Sequence, residues 1–154
     1  MALPRVVLAD DHTIVADAFR KLLENDCDVV ATVCDGRALL ESAAQLNPDV
    51  VVVDIGMPLM NGLEAGLRLK QQMPAVKVIF LTMNEDPELA IEAMRSGGSA
   101  YLLKKSAASE LFQAIQDTMK GERYITPQIA RGMRNCLIPN PQGRKHARKL
   151  TSRQ

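Results

Sequence analysis

The sequence predicts an α/β domain, a five-stranded parallel sheet with helices on both faces and strand order 2-1-3-4-5. Three observations carry that reading. Five short apolar runs recur along the chain, and most are continuous rather than alternating, as in strands covered on both faces. Amphipathic stretches with helical spacing separate the runs. Parallel strands joined by right-handed crossovers then place those helices on either side of the sheet.

The elements follow in order. Val6-Val7-Leu8-Ala9 is the first run, and Val15, Phe19, Leu22 and Leu23 after it line one face of a helix. Val29 to Val33 is the second, followed by Leu39, Ala43 and Leu46 until Pro48 stops the helix. Val50 to Val53 precedes a weaker stripe of Leu63, Gly66 and Leu67 that ends near Pro74. Val76 to Leu81 is the fourth run. Asp86 then reads as an N-cap with Pro87 at the first helical position, and Ala90, Ala93, Met94 and Gly97 give a small-residue face. Ala100 to Leu103 is the fifth, followed by the clearest stripe, Ala108, Leu111, Phe112, Ile115 and Met119, closed by Gly121. Five such units suit two layouts, of which the flavodoxin-like order is favoured; ligands there bind at the carboxyl ends of the strands, near the switch point between the first and third.

Composition bounds the rest. Aromatics make up 3% of 154 residues and Trp is absent, so the core is expected to be aliphatic. Residues 1–136 hold 14 Lys/Arg against 18 Asp/Glu, a net of −4, whereas residues 137–154 hold Arg144, Lys145, Arg148, Lys149 and Arg153 with no acid. An acidic body with a basic tail suggests two functional regions. The layout expected is a domain over 1–124, a helix (Ile125, Ile129, Met133) and basic linker over 125–149, and the start of something further at 150–154. Cys27, Cys34 and Cys136 show no CxxC or Cys/His pattern, which argues against a disulfide framework or a zinc site. With acidic residues inside the first eleven positions and no run near 20 apolar residues, no signal peptide or membrane span is expected, and the reading is a cytoplasmic protein.

The chemistry gathers at the predicted strand ends: Asp10 and Asp11 after the first, Asp54 at the third, Thr82 at the fourth, Lys104 at the fifth. Carboxylates about 4 Å apart repel by roughly 4 kcal/mol per pair at an effective dielectric near 20. A hard dication with oxygen ligands, Mg²⁺ foremost, and the Lys104 ammonium would offset that. The same surroundings suit a phosphoryl group carried on one carboxylate, with the Thr82 hydroxyl as a hydrogen-bond donor. Plainer roles stand beside these. Asp10 and Asp11 could cap the first helix, Thr82 could be an ordinary strand-end hydroxyl, and Lys104-Lys105 a solvated pair. Gly56 and Asn61-Gly62 serve a tight turn in any case. His12 and His146 show no partner arrangement, and neither is read as a base or ligand.

LADDH at 8–12, VVVDIGMPLMNGLE at 51–64, VIFLTM at 78–83 and AYLLKK at 100–105 together resemble the response-regulator receiver domain, in order and spacing, over about residues 4–121. The resemblance implies that Asp54 accepts a phosphoryl group from a sensor histidine kinase. It implies that Asp11, Asp54 and the Gly56 carbonyl hold Mg²⁺, with Asp10 acting through water, and that Thr82 and Lys104 contact the phosphoryl group. Tyr101 resembles the aromatic switch residue whose rotamer follows Thr82; the plainer reading is core or surface filler. Many receivers carry Pro after this Lys; here it is Lys105. DDH, YLLK and Leu150-Thr151-Ser152-Arg153-Gln154 resemble the subfamily with a LuxR-type helix-turn-helix output, cut off as it begins, so the natural chain is expected to extend past Gln154. The implied function is a two-component switch. Phosphorylation drives homodimerisation, through the helix 4/strand 5/helix 5 face or the helix 1/helix 5 face. DNA is met only through the further domain. Its only catalysis would be its own phosphorylation and dephosphorylation. A haloacid-dehalogenase-type phosphohydrolase is the main alternative, but its nucleophile lies in a DxD motif at the first strand. An unphosphorylated adaptor and a flavin carrier fit less well, because the acidic trio is intact and DDH would repel a flavin phosphate.

Overall fold

A computed structural model describes residues 3–58 and 60–137 of the chain. The linker expected at 138–149 and the start of a further domain at 150–154 lie outside the described residues. The elements run β1 (Arg5–Ala9), α1 (Thr13–Leu23), β2 (Asp28–Val33), α2 (Gly36–Leu46), β3 (Val50–Asp54), α3 (Gly62–Gln72), β4 (Lys77–Thr82), α4 (Pro87–Arg95) and β5 (Ala100–Leu103). A 3₁₀ turn over Lys104–Ser106 leads into α5 (Ala107–Met119), followed by β6 (Tyr124–Ile125) and α6 (Pro127–Leu137).

All strand pairs are parallel, and the sheet order is β2-β1-β3-β4-β5-β6. The sheet therefore has six strands, which corrects the five expected from the apolar runs and their order 2-1-3-4-5. The missed strand is two residues long. Gly121, at φ 86°, turns the chain after α5. The Tyr124 N–H then donates to the Ser99 carbonyl (3.3 Å) and the Thr126 N–H to the Tyr101 carbonyl (3.0 Å), pairing Ala100 with Tyr124 and Tyr101 with Ile125. Without it β5 would present unpaired backbone groups at an open edge. Ile125 thus belongs to a strand, and the helix begins at Pro127.

Alternation along the strands divides the core in two. Val6, Leu8, Val50 and Val52 pack with Phe19 and Leu23 of α1 and Leu111 and Ile115 of α5. Val7, Val51, Val53 and Phe80 face the other way, onto Leu39 of α2, Leu69 of α3, Met94 of α4 and Ile129 of α6. Burying each such Val, Leu or Ile stabilises the fold by about 1.5–3 kcal/mol relative to exposure. Three helices start on side-chain caps: Asp35 accepts from the Ala38 N–H (2.8 Å), Asn61 from that of Glu64 (2.9 Å) and Asp86 from that of Glu88 (3.0 Å). Gly62 is required by proximity, since a Cβ there would lie 2.2 Å from the Asp54 carbonyl oxygen. That tight return holds the start of α3 against the end of β3.

Candidate functional site

Every strand from β1 to β5 points its carboxyl end to one rim, and β1, β3, β4 and β5 end in or next to polar residues. Asp10, Asp54, Thr82 and Lys104 are all buried there, at 3%, 3%, 3% and 9% exposure. Burial of this kind is costly for charged groups unless they are paired.

The pairing converges on Lys104, the first residue after β5. Its ammonium donates to Asp54 Oδ2 at 3.0 Å and to Asp10 Oδ1 at 3.3 Å, and stands 3.0 Å from Asp10 Oδ2. That last contact is ionic but outside hydrogen-bond geometry, and among the described residues no donor satisfies Asp10 Oδ2. Burial opposes the lysine's charge, but the hydrogen bonds to Asp54 and Asp10 and the attraction of both carboxylates outweigh it, so its pKa is raised. The other Asp54 oxygen, Oδ1, accepts from the Gly56 N–H at 3.1 Å. Asp11 is more open, its side chain about one-third exposed at 32%.

His12 is the residue that sequence reasoning missed. Its Nδ1 lies 3.0 Å from Lys104 Nζ, 3.2 Å from Asp10 Oδ1, 3.5 Å from Asp11 Oδ1 and 3.8 Å from Asp54 Oδ2. The reading that His12 has no partner arrangement is therefore corrected; His146 lies outside the described residues. A signal was present in its place directly after Asp10-Asp11, but its contacts to Asp54 and Lys104 come from strands distant in sequence.

Thr82 ends β4 on the same rim, yet its hydroxyl is turned to its own loop, accepting from the Asn84 N–H (3.0 Å) and donating to the Asn84 carbonyl (3.2 Å). It makes no hydrogen bond to Asp54 or Lys104. Tyr101 is fully buried against Phe80, ring centroids 6.4 Å apart, and its hydroxyl has no hydrogen-bond partner among the described residues. Burial raises its pKa, and nearby Thr82 offsets this only in part. Lys105 faces solvent, 3.9 Å from Glu85, a contact of little energetic weight.

Three carboxylates facing one ammonium leave the pocket with a net charge of about −2 when His12 is neutral, which a dication would balance. Ligand atoms of Asp10, Asp11, His12 and Asp54 all lie within 4.8 Å of one another. The unsatisfied Asp10 oxygen and this hard, oxygen-rich donor set both fit Mg²⁺.

The family model of the response regulator receiver domain matches residues 6–116. The chain belongs to this family. Receiver domains bind Mg²⁺ at their acidic pocket and are phosphorylated by histidine kinases; they are regulators rather than enzymes in the ordinary sense. The transcriptional regulatory protein LnrK of Bacillus subtilis is 35% identical over 133 residues, which cover 85% of this chain and 60% of LnrK. The chain thus spans about three-fifths of the length of that relative. Among solved structures, a LuxR-family two-component response regulator from Aurantimonas superposes with a TM-score of 0.83 at 32% identity, covering 87% of this chain and 97% of that one. A structure of two RcsB dimers bound to two parallel DNAs superposes with a TM-score of 0.80 at 27% identity, covering 91% of this chain and 72% of that one. Among the described residues of this receiver domain, no helix is long and apolar enough to cross a membrane.

Proposed function

We propose that this receiver domain is the phosphoacceptor switch of a two-component system, with Asp54 as the residue modified. One observation carries the reading: the Lys104 ammonium is held between two buried carboxylates, 3.0 Å from Asp54, beside a third acid. An Asp54 oxygen attacks the phosphorus of a kinase phosphohistidine in line. The new P–O bond forms as the P–N bond breaks, and the electron pair returns to the kinase imidazole. Asp11, Asp54 and the Gly56 carbonyl would hold Mg²⁺, with Asp10 acting through water. When bound, the ion neutralises charge on the phosphoryl oxygens.

Lys104 stays with the modified Asp54 and pairs with the phosphoryl oxygens, whose charge of roughly −2 replaces the carboxylate's −1. The Thr82 hydroxyl leaves Asn84 and donates to the phosphoryl group, and Tyr101 answers to Thr82. Loops after β4 and β5 move with them, shifting the population at the α4/β5/α5 or α1/α5 face toward a homodimer. Residues 1–124 would form the receiver unit and 125–149 a connector, with 150–154 opening a helix-turn-helix domain that carries the DNA contacts and transcription control. Catalysis is confined to the protein's own phosphorylation and dephosphorylation. The setting is the cytoplasm.

Intact-mass measurement with acetyl phosphate and Mg²⁺ tests this. Wild type gains one phosphoryl group and, with beryllofluoride, elutes as a dimer; Asp54→Asn does neither. Equal responses from the two proteins would end the proposal.

A further inference from the structure

We infer that His12 is a nitrogen ligand of the acidic pocket, raising its affinity for a first-row transition dication such as Mn²⁺ more than for Mg²⁺. The inference rests on the phosphoacceptor reading of the same site and adds a donor that the oxygen ligands do not supply.

The argument begins with where His12 sits. It is the N-cap residue of α1, a position that favours Ser, Thr, Asp or Asn, yet its side chain makes no cap hydrogen bond. The imidazole is instead turned so that Nδ1 enters the pocket while the ring remains 60% exposed. Nδ1 lies 3.0 Å from the Lys104 ammonium, which has only donors, and 3.2 Å from Asp10 Oδ1; in the tautomer with its proton on Nε2, the Nδ1 lone pair accepts from Lys104 and can be exchanged for a cation. The three carboxylate oxygens at 3.2, 3.5 and 3.8 Å then face a lone pair with lone pairs of their own. Donor atoms that share one cation at about 2.1 Å lie roughly 3.0 Å apart when adjacent and roughly 4.2 Å apart when opposite. The three separations all fall in that window. Imidazole adds little for Mg²⁺, which prefers oxygen, and more for softer dications.

Nδ1 has a single lone pair, so Lys104 and a cation are alternatives for it. In the metal-free pocket His12 holds the lysine; once a cation takes Nδ1, Lys104 is left to Asp54 and Asp10 alone.

The test uses the 154-residue chain and its His12→Asn variant, which places a good capping residue at the head of α1 and so keeps the fold. Pulsed electron paramagnetic resonance of the Mn²⁺-loaded wild type is expected to show a directly bound ¹⁴N, absent from the variant; a signal from His146 would persist in both. By calorimetric titration the variant loses roughly tenfold in Mn²⁺ affinity and less than about threefold in Mg²⁺ affinity. Absence of nitrogen coupling in wild type, its persistence in the variant, or equal loss for both cations overturns the inference while leaving the phosphoacceptor reading intact, provided Asp54 is still modified. A wild type that takes up neither cation nor phosphoryl group brings down both.

Discussion

Replacing Lys104 with Met and Asp11 with Asn should move stability in opposite directions, because one ammonium pairs with two buried carboxylates while a third stands beside them without it. Lys104→Met strands Asp10 and Asp54 as unpaired buried charges, a loss expected at about 3–5 kcal/mol. Asp11→Asn removes like-charge repulsion at a more open position and should stabilise the metal-free protein by up to about 1 kcal/mol. Urea unfolding in a chelator measures both, and equal signs would show that the pocket is not electrostatically strained. At this scale the sequence was partly legible. Asp10, Asp54 and Lys104 meet because each lies at the end of a strand, so strand order alone brings them to one rim. His12 was not legible: whether its ring turns inward depends on a rotamer and on a lysine 92 residues away. The Thr82 hydroxyl was expected on the rim and lies there, but its bonds to Asn84 are local and hold it to its own loop.

Among the elements, α6 shows how a helix can be anchored by few residues. Ile129 is fully buried in the core under α4, with Met133 packed beside it. Ile129→Ala should cost about 2–5 kcal/mol; a change below 1 kcal/mol in urea unfolding would mean that α6 does not contribute to the cooperative fold. Strands β1, β3 and β4 were legible because burial on both faces demands uninterrupted apolar runs of Val, Ile and Leu. Strand β6 was not. Two residues carry no periodicity, and their strand character comes from a partner backbone, Ser99 to Tyr101, about 25 positions earlier. Helix caps at Asp86 and Pro87 are legible for the opposite reason, since cap and helix lie within four residues.

For the whole molecule, the raised pKa values set an alkaline limit. Tyr124 is pushed up to about 12 by burial first, then by its hydrogen bond to Glu110 and the charges of Glu110 and Asp117. Lys104 is raised above 10.5 despite its burial. A group whose folded pKa exceeds its unfolded one contributes stability that is intact below the unfolded value and lost as pH rises through the folded value. The Cys27 and Cys136 thiols, both raised first of all by burial, open the window, so the urea midpoint should hold up to about pH 9 and fall toward pH 12, with a shallower fall in Tyr124→Phe. A midpoint constant over that interval would contradict the assignment. One further link spans the molecule. The buried Thr126 hydroxyl accepts from the Leu103 N–H at 2.9 Å and donates to Glu110 at 3.0 Å, and Thr126 immediately precedes α6. Leu103 in turn immediately precedes Lys104. The last described helix is thus latched by a single hydroxyl to the residue adjoining the pocket's cation, and any travel of that lysine which drags Leu103 must either stretch the latch or swing the helix with it.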